Sequence, residues 1–175
     1  MNHAEPAEVE LLVLDVDGVL TDGSIYLNDD GRETKRFNVR DGFGLRLWMR
    51  LGWRVAIITG RSGQSLRHRA RELGIDLIVQ GSTDKAEAIR ELSRRTSIDP
   101  RRMAFVGDDW PDLPALHAVG FPVAVADADP AVLTCAAFVT QRPGGHGAVR
   151  EVVEHLILRK GLMPKAREMY PTGTA

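Results

Sequence analysis

Cysteine is nearly missing from this chain: Cys135 is the single thiol among 175 residues. One thiol excludes an internal disulfide and any multi-cysteine zinc site, and it fits a reducing compartment. Charge of one sign is not in excess either. The formal net charge is −1, with basic and acidic residues mixed along the chain, which argues against a nucleic-acid partner and its usual basic face. No apolar run approaches the roughly 20 residues of a membrane span. The first eight residues are polar and mixed in charge, without a signal-peptide core, so a cytoplasmic location is expected. Internal repeats and low-complexity tracts are lacking too. What remains is an ordinary globular balance, 43% hydrophobic and 27% charged, at a length suited to one domain with a real core.

The most informative stretch is Leu11-Leu12-Val13-Leu14-Asp15-Val16-Asp17-Gly18-Val19-Leu20. An unbroken Leu/Val run this short reads as a strand buried on both faces, the kind found in parallel sheets. Such a strand cannot carry an ionised carboxylate along its length. Asp15 is therefore placed at the carboxyl end of a strand over about 10–15, where open α/β sheets bind ligands. Asp15 and Asp17 repel each other at one tip unless a proton or cation lies between them. A hard cation with oxygen ligands satisfies both.

Residues 1–9 read as a flexible arm, 10–160 as one domain, and 161–175 as a tail. The loop Asp17–Gly23 must turn tightly. Ser24–Leu27 and Thr34–Phe37 flank Asn28-Asp29-Asp30-Gly31, a hairpin signal, and the hairpin projects from the strand-one tip. A helix follows over Asp41–Leu51, then a buried strand over Arg54–Thr59. Ser62 is positioned to cap the next helix, on which Leu66, Ala70 and Leu73 share a face, and Gly74 ends it. Further strands are expected at Leu77–Val79, Met103–Val106 and Pro122–Ala126, with a last edge strand at Phe138–Thr140. Helices are expected from Thr83 or Asp84, from Pro111, and over 148–159 with Val149, Val152, Val153, Leu156 and Ile157 inward. Strands alternating with helices imply an α/β fold: a Rossmann-like three-layer sandwich with a mostly parallel sheet.

In such a sheet the tips converge, bringing together Asp15 and Asp17, Thr59, Lys85, and the group Asp108, Asp109 and Asp112. An acidic cluster for a cation, a hydroxyl and a lysine suit a phosphate. The metal and the lysine neutralise it, while the hydroxyl and the backbone amides of the Gly60–Gly63 turn hold its oxygens. A receiver-type signalling domain uses similar parts, but its phosphorylated aspartate follows the third strand, and Val79-Gln80-Gly81 offers none.

Asp15-x-Asp17-x-x-x-Thr21, Thr59-Gly60-Arg61, Lys85 and Gly107-Asp108-Asp109-x-x-Asp112 resemble, in order and spacing, the four motifs of the haloacid-dehalogenase-like phosphotransferases. No length is left for a large cap domain. Asn38-Val39-Arg40-Asp41-Gly42, Gln80-Gly81 and Gly144-Gly145-His146-Gly147 resemble the capless subgroup that acts on sugar acid phosphates of lipopolysaccharide-precursor synthesis. The resemblance implies Asp15 as nucleophile and Asp17 as general acid and base. It implies magnesium on Asp15, the Asp17 main-chain carbonyl and Asp108, and phosphoryl binding by Thr59 and Lys85. Asp109 and Asp112 would lie at the metal's edge. It also implies a homotetramer in which Arg69 reaches a neighbour's substrate. Arg61 favours an eight-carbon sugar acid over a nine-carbon one, where relatives tend to have glutamate, and its fork suits a sugar carboxylate. The alternatives are a phosphatase for another sugar acid phosphate, such as a nine-carbon 9-phosphate, or a non-catalytic phosphate-binding relative.

Overall fold

A computed structural model describes residues 3–171. In chain order the elements are β1 (Leu11–Leu14), a hairpin of β2 (Tyr26–Leu27) and β3 (Glu33–Thr34), α1 (Val39–Arg50), β4 (Arg54–Thr59), α2 (Gln64–Leu73), β5 (Leu77–Gln80), α3 (Lys85–Thr96), β6 (Met103–Gly107), α4 (Leu113–Ala118), β7 (Phe121–Ala124), α5 (Pro130–Cys135), β8 (Phe138–Val139), α6 (Ala148–Arg159) and α7 (Met163–Glu168). Six strands form one sheet in the order β5-β4-β1-β6-β7-β8, and every pairing in it is parallel.

The order explains the apolar run. β1 lies between β4 and β6, with Leu14 level with Ile57 and Val106, so both of its faces are covered and all four of its residues are buried. Burying each such side chain contributes roughly 1.5–3 kcal/mol. Right-handed crossovers put α1 and α2 on one face, because β1, β4 and β5 step one way. They put α3, α4 and α5 on the other, because β6, β7 and β8 lie beyond β1 in the opposite direction. α6 returns to pack on α1, giving three layers. The connections diverge between β1 and β6, which makes the carboxyl ends of these two strands the topological switch point.

Several local expectations are corrected. Residues 4–9 are not a loose arm. Ala4 N–H donates to the Gly120 carbonyl at 2.9 Å, Pro6–Glu8 form a 3-10 turn, and Val9 is wholly buried. Past Gly161 the chain forms α7, and the Tyr170 hydroxyl accepts a 2.8 Å hydrogen bond from Arg50 while its ring lies 5.0 Å from Phe43. Residues 1–2 and 172–175 lie outside the described residues. α2 takes Gly63, not Ser62, as its N-cap. α1 begins at Val39, capped by Asn38. That start buries Asp41 in the first turn, where its carboxylate accepts N–H groups of Gly147 (3.3 Å) and Arg150 (2.7 Å) and so clamps the start of α6. α5, capped by Asp129, was not expected; at six residues it is too short to show a period.

Candidate active site

β1 ends at Leu14, and the next amide, Asp15 N–H, still bonds the Val106 carbonyl at 3.1 Å. The Asp15 carboxylate thus leaves the sheet at the switch point, and its side chain is 9% exposed. One strand over, β6 ends at Gly107 and delivers Asp108. A 3-10 turn over Trp110–Asp112, with Pro111 in its first positions, folds Asp112 back under the loop. Asp112 Oδ2 accepts the Asp108 N–H at 2.9 Å and, more weakly, that of Asp109 at 3.4 Å. Lys85 opens α3, whose N-terminus is capped by Asp84 accepting the Glu87 N–H at 3.0 Å. Its buried ammonium donates to Asp15 Oδ1 at 2.8 Å and to Asp112 Oδ1 at 2.5 Å. Thr59 ends β4; since Ile57 is level with Leu14, the register puts Thr59 at the same tip. It is buried, and its hydroxyl accepts the Arg61 N–H at 3.2 Å.

The charges in this cluster do not balance. Carboxylate oxygens of Asp15, Asp108 and Asp112 lie within 4.8 Å of one another, and among the described residues Lys85 is the cation paired with two of them, Asp15 and Asp112. Burial, then repulsion from Asp112, pushes the Asp15 carboxyl up to about 7 against the pull of Lys85. Burial, then Asp112 and Asp15, pushes Asp108 up to about 8. Burial works against the Lys85 ammonium, yet Asp15 and Asp112 outweigh it and hold the lysine above its ordinary value. Three hard oxygen donors with a deficit of positive charge fit a divalent cation such as magnesium.

Gly18 makes room for this arrangement. It sits at φ +90°, and a Cβ there would collide with the Asp108 carboxylate. Gly18→Ala is therefore expected to displace Asp108 and weaken magnesium binding by about 10- to 100-fold, as titration calorimetry would measure. Unchanged affinity would remove Asp108 from the cation site. The loop after β1 is held from behind by the glycine-rich segment. Gly145 N–H donates to the Val19 carbonyl at 3.0 Å, Asn38 Nδ2 to the Gly145 carbonyl at 3.2 Å, and a Cβ on Gly144 would collide with the Gly18 carbonyl.

Not every expected residue enters the cluster. The Asp17 carboxylate turns to the hairpin, where Lys35 donates to Oδ1 and Arg61 Nε lies 3.9 Å from Oδ2. Arg61 also bonds Glu33 at 2.5 Å. Asp109 points away and caps the 3-10 turn through Trp110 N–H at 2.8 Å. Arg69 stays on α2: it bonds Glu72 at 2.9 Å, its guanidinium lies 6.0 Å from the Phe37 ring, and only the missing Cβ of Gly42 admits it. Lys35 and Glu33 were not anticipated. The signal is in the sequence, because the hairpin projects from the strand-one tip and carries Glu33 and, just past β3, Lys35 close to the acidic pair.

Residues 75–152 match the family model of the haloacid dehalogenase-like hydrolases. The chain is 45% identical over 164 residues to 3-deoxy-D-manno-octulosonate 8-phosphate phosphatase of Escherichia coli, covering 94% of this chain and 87% of that protein. It superposes with TM-score 0.93 on the crystal structure of the Moraxella catarrhalis phosphatase of that name in complex with magnesium ion, phosphate ion and KDO, at 38% identity and covering 95% of this chain and 96% of that one. The cobalt-bound form of the deoxy-D-mannose-octulosonate 8-phosphate phosphatase of Haemophilus influenzae gives 0.88 at 36% identity, covering 90% and 92%. This chain, with its acidic cluster at the β1/β6 switch point and no cap among the described residues, belongs to the haloacid dehalogenase-like hydrolases, in the branch of the 3-deoxy-D-manno-octulosonate 8-phosphate phosphatases.

Proposed function

We propose that this chain is a magnesium-dependent phosphatase that releases phosphate from 3-deoxy-D-manno-octulosonate 8-phosphate by way of an aspartyl-phosphate. One observation carries the reading: a single lysine, Lys85, bridges the two buried members, Asp15 and Asp112, of three carboxylates whose oxygens share one small volume at the switch point. Magnesium, held by Asp15, the Asp17 carbonyl and Asp108, supplies neutralisation of phosphate charge when bound. Asp15 attacks phosphorus as the bond to the sugar oxygen breaks, and Asp17 gives that oxygen its proton. Asp17, now a carboxylate, takes a proton from water. The water oxygen attacks phosphorus, the bond to Asp15 breaks, and phosphate leaves. Lys85 and Thr59 hold the phosphoryl oxygens, and Asp112 fixes Lys85 and the Asp108 amide. Asp109 stays outside this set, as the cap of its turn.

Arg61, half exposed between Asp17 and Glu33, is placed to meet a sugar carboxylate. Ile25, Tyr26 and Leu27 on the hairpin are 54%, 46% and 65% exposed. Such an apolar edge supports assembly into a homotetramer, in which Arg69 would serve a neighbour's site. The lone thiol supports a cytoplasmic location. No helix among the described residues is long and apolar enough to cross a membrane.

A panel of sugar acid phosphates, assayed for phosphate release with magnesium and with chelator, tests the reading. The eight-carbon 8-phosphate is expected to exceed a nine-carbon 9-phosphate by about tenfold or more in kcat/KM, the scale of one good polar contact. Release in chelator would discard the metal; equal turnover would discard the assignment of Arg61.

A further inference from the structure

Lysines are almost never buried unless paired. Lys35 is on a hairpin whose β2 residues face solvent, yet its side chain is 5% exposed. Its ammonium is spent on Asp17 Oδ1 and on Glu33 Oε1, the latter an ion pair at 2.5 Å. Glu33 Oε2 in turn takes Arg61 at 2.5 Å, and Arg61 Nε lies 3.9 Å from the other Asp17 oxygen. Asp17, Lys35, Glu33 and Arg61 thus close a ring of alternating charge. The hairpin is tied down at the same place by Ser65 Oγ donating to the Glu33 carbonyl at 3.2 Å.

We propose that Lys35 is a positioning residue for Asp17. It holds Asp17 Oδ1 and so fixes the rotation of the carboxyl group, aiming Oδ2, which carries the proton once substrate is bound, at the leaving sugar oxygen while Asp15 attacks. This rests on the reading of Asp17 as proton donor. Asp17 opens the loop that turns away from the sheet, and its carboxylate makes none of the bonds that hold Asp15 and Asp112. Its aim therefore comes from the hairpin. Glu33 holds Lys35 from the far side, and the chain of contacts makes hairpin closure and alignment of Asp17 one event.

Leaving-group dependence separates this role from a structural one. A sugar alkoxide needs a proton to leave, whereas an aryl oxide does not. Lys35→Met is expected to lower kcat/KM for the sugar phosphate by about 10- to 100-fold, within the range of general acid catalysis, and for p-nitrophenyl phosphate by about threefold or less. The sugar-phosphate loss should fall on kcat with little change in KM, and Lys35→Arg should recover most of it. In the Asp17→Asn background, Lys35→Met should add no further loss, since both act at one step. Equal losses on both substrates, or additive losses in the double variant, would overturn the positioning role. If Asp17→Asn alone shows no leaving-group dependence, the proton-donor reading fails and takes this one with it. A dependence in Asp17→Asn that is lacking in Lys35→Met overturns the positioning role alone.

Discussion

Asp15→Asn is expected to lower kcat for phosphate release by roughly 10⁴-fold or more, the scale seen when an enzyme loses its nucleophile. The amide nitrogen cannot attack phosphorus, and the remaining amide oxygen carries no charge to drive the attack. No phosphoryl group should then be found on the protein after rapid acid quench, although substrate still binds through Lys85 and Thr59. The fold should survive. Lys85 keeps its 2.5 Å bond to Asp112, and the substitution removes one of three mutually repelling carboxylates. Repulsion and burial are the causes that push Asp15 up, so the variant escapes a cost that the native chain bears at neutral pH. The melting temperature without metal should therefore stay within a few degrees of the native value or exceed it. A collapse in Tm would assign the lost activity to unfolding; retained phosphate release would remove Asp15 as nucleophile.

Which parts of this site can be read from residues alone follows from how local their causes are. β1 is legible because a central parallel strand is covered on both faces, and Leu11–Leu14 carry that fact in four consecutive residues. Asp15, Thr59 and Asp108 are legible because each is next to the end of a buried run, and strand ends converge in any parallel sheet. Asp109 and Asp112 could not be told apart. Both follow the same strand, and only the 3-10 turn sends one outward to Trp110 and the other inward to Lys85. The ring through Lys35 is not legible in sequence, because it joins residues 18 apart across a hairpin and no local pattern records that pairing. Residues 4–9 look like an arm because Pro6 and Val9 show no period. Their packing depends on partners such as Gly120, more than 110 positions away, where any side chain would collide with the Arg101 carbonyl.

Lys85→Met should destabilise the metal-free protein more than any other single change in the site, by about 3–5 kcal/mol at pH 8. It leaves Asp15 and Asp112 buried without their cation, and Met fills the stem of the lysine but offers no charge. The sign of the pH dependence follows from the carboxylates. In the native chain Asp15 is pushed to about 7 and Asp108 to about 8, both from 3.8. Between pH 4 and 8 the folded state therefore binds more protons than the unfolded one, and stability falls as pH rises through that window. Removing Lys85 deletes an influence that lowers both groups, so the folded carboxyls rise further and the fall steepens. The Tm deficit of Lys85→Met relative to the native chain should be small at pH 5.5, where protons replace the lost ammonium, and large at pH 8. Magnesium should restore more of it at pH 8 than at pH 5.5, because a cation binds the ionised cluster and stabilises by mass action. Differential scanning calorimetry at both pH values, with magnesium and with chelator, gives the four numbers needed. A deficit independent of pH would mean that Lys85 stabilises by packing alone, and that the three carboxylates do not share its charge.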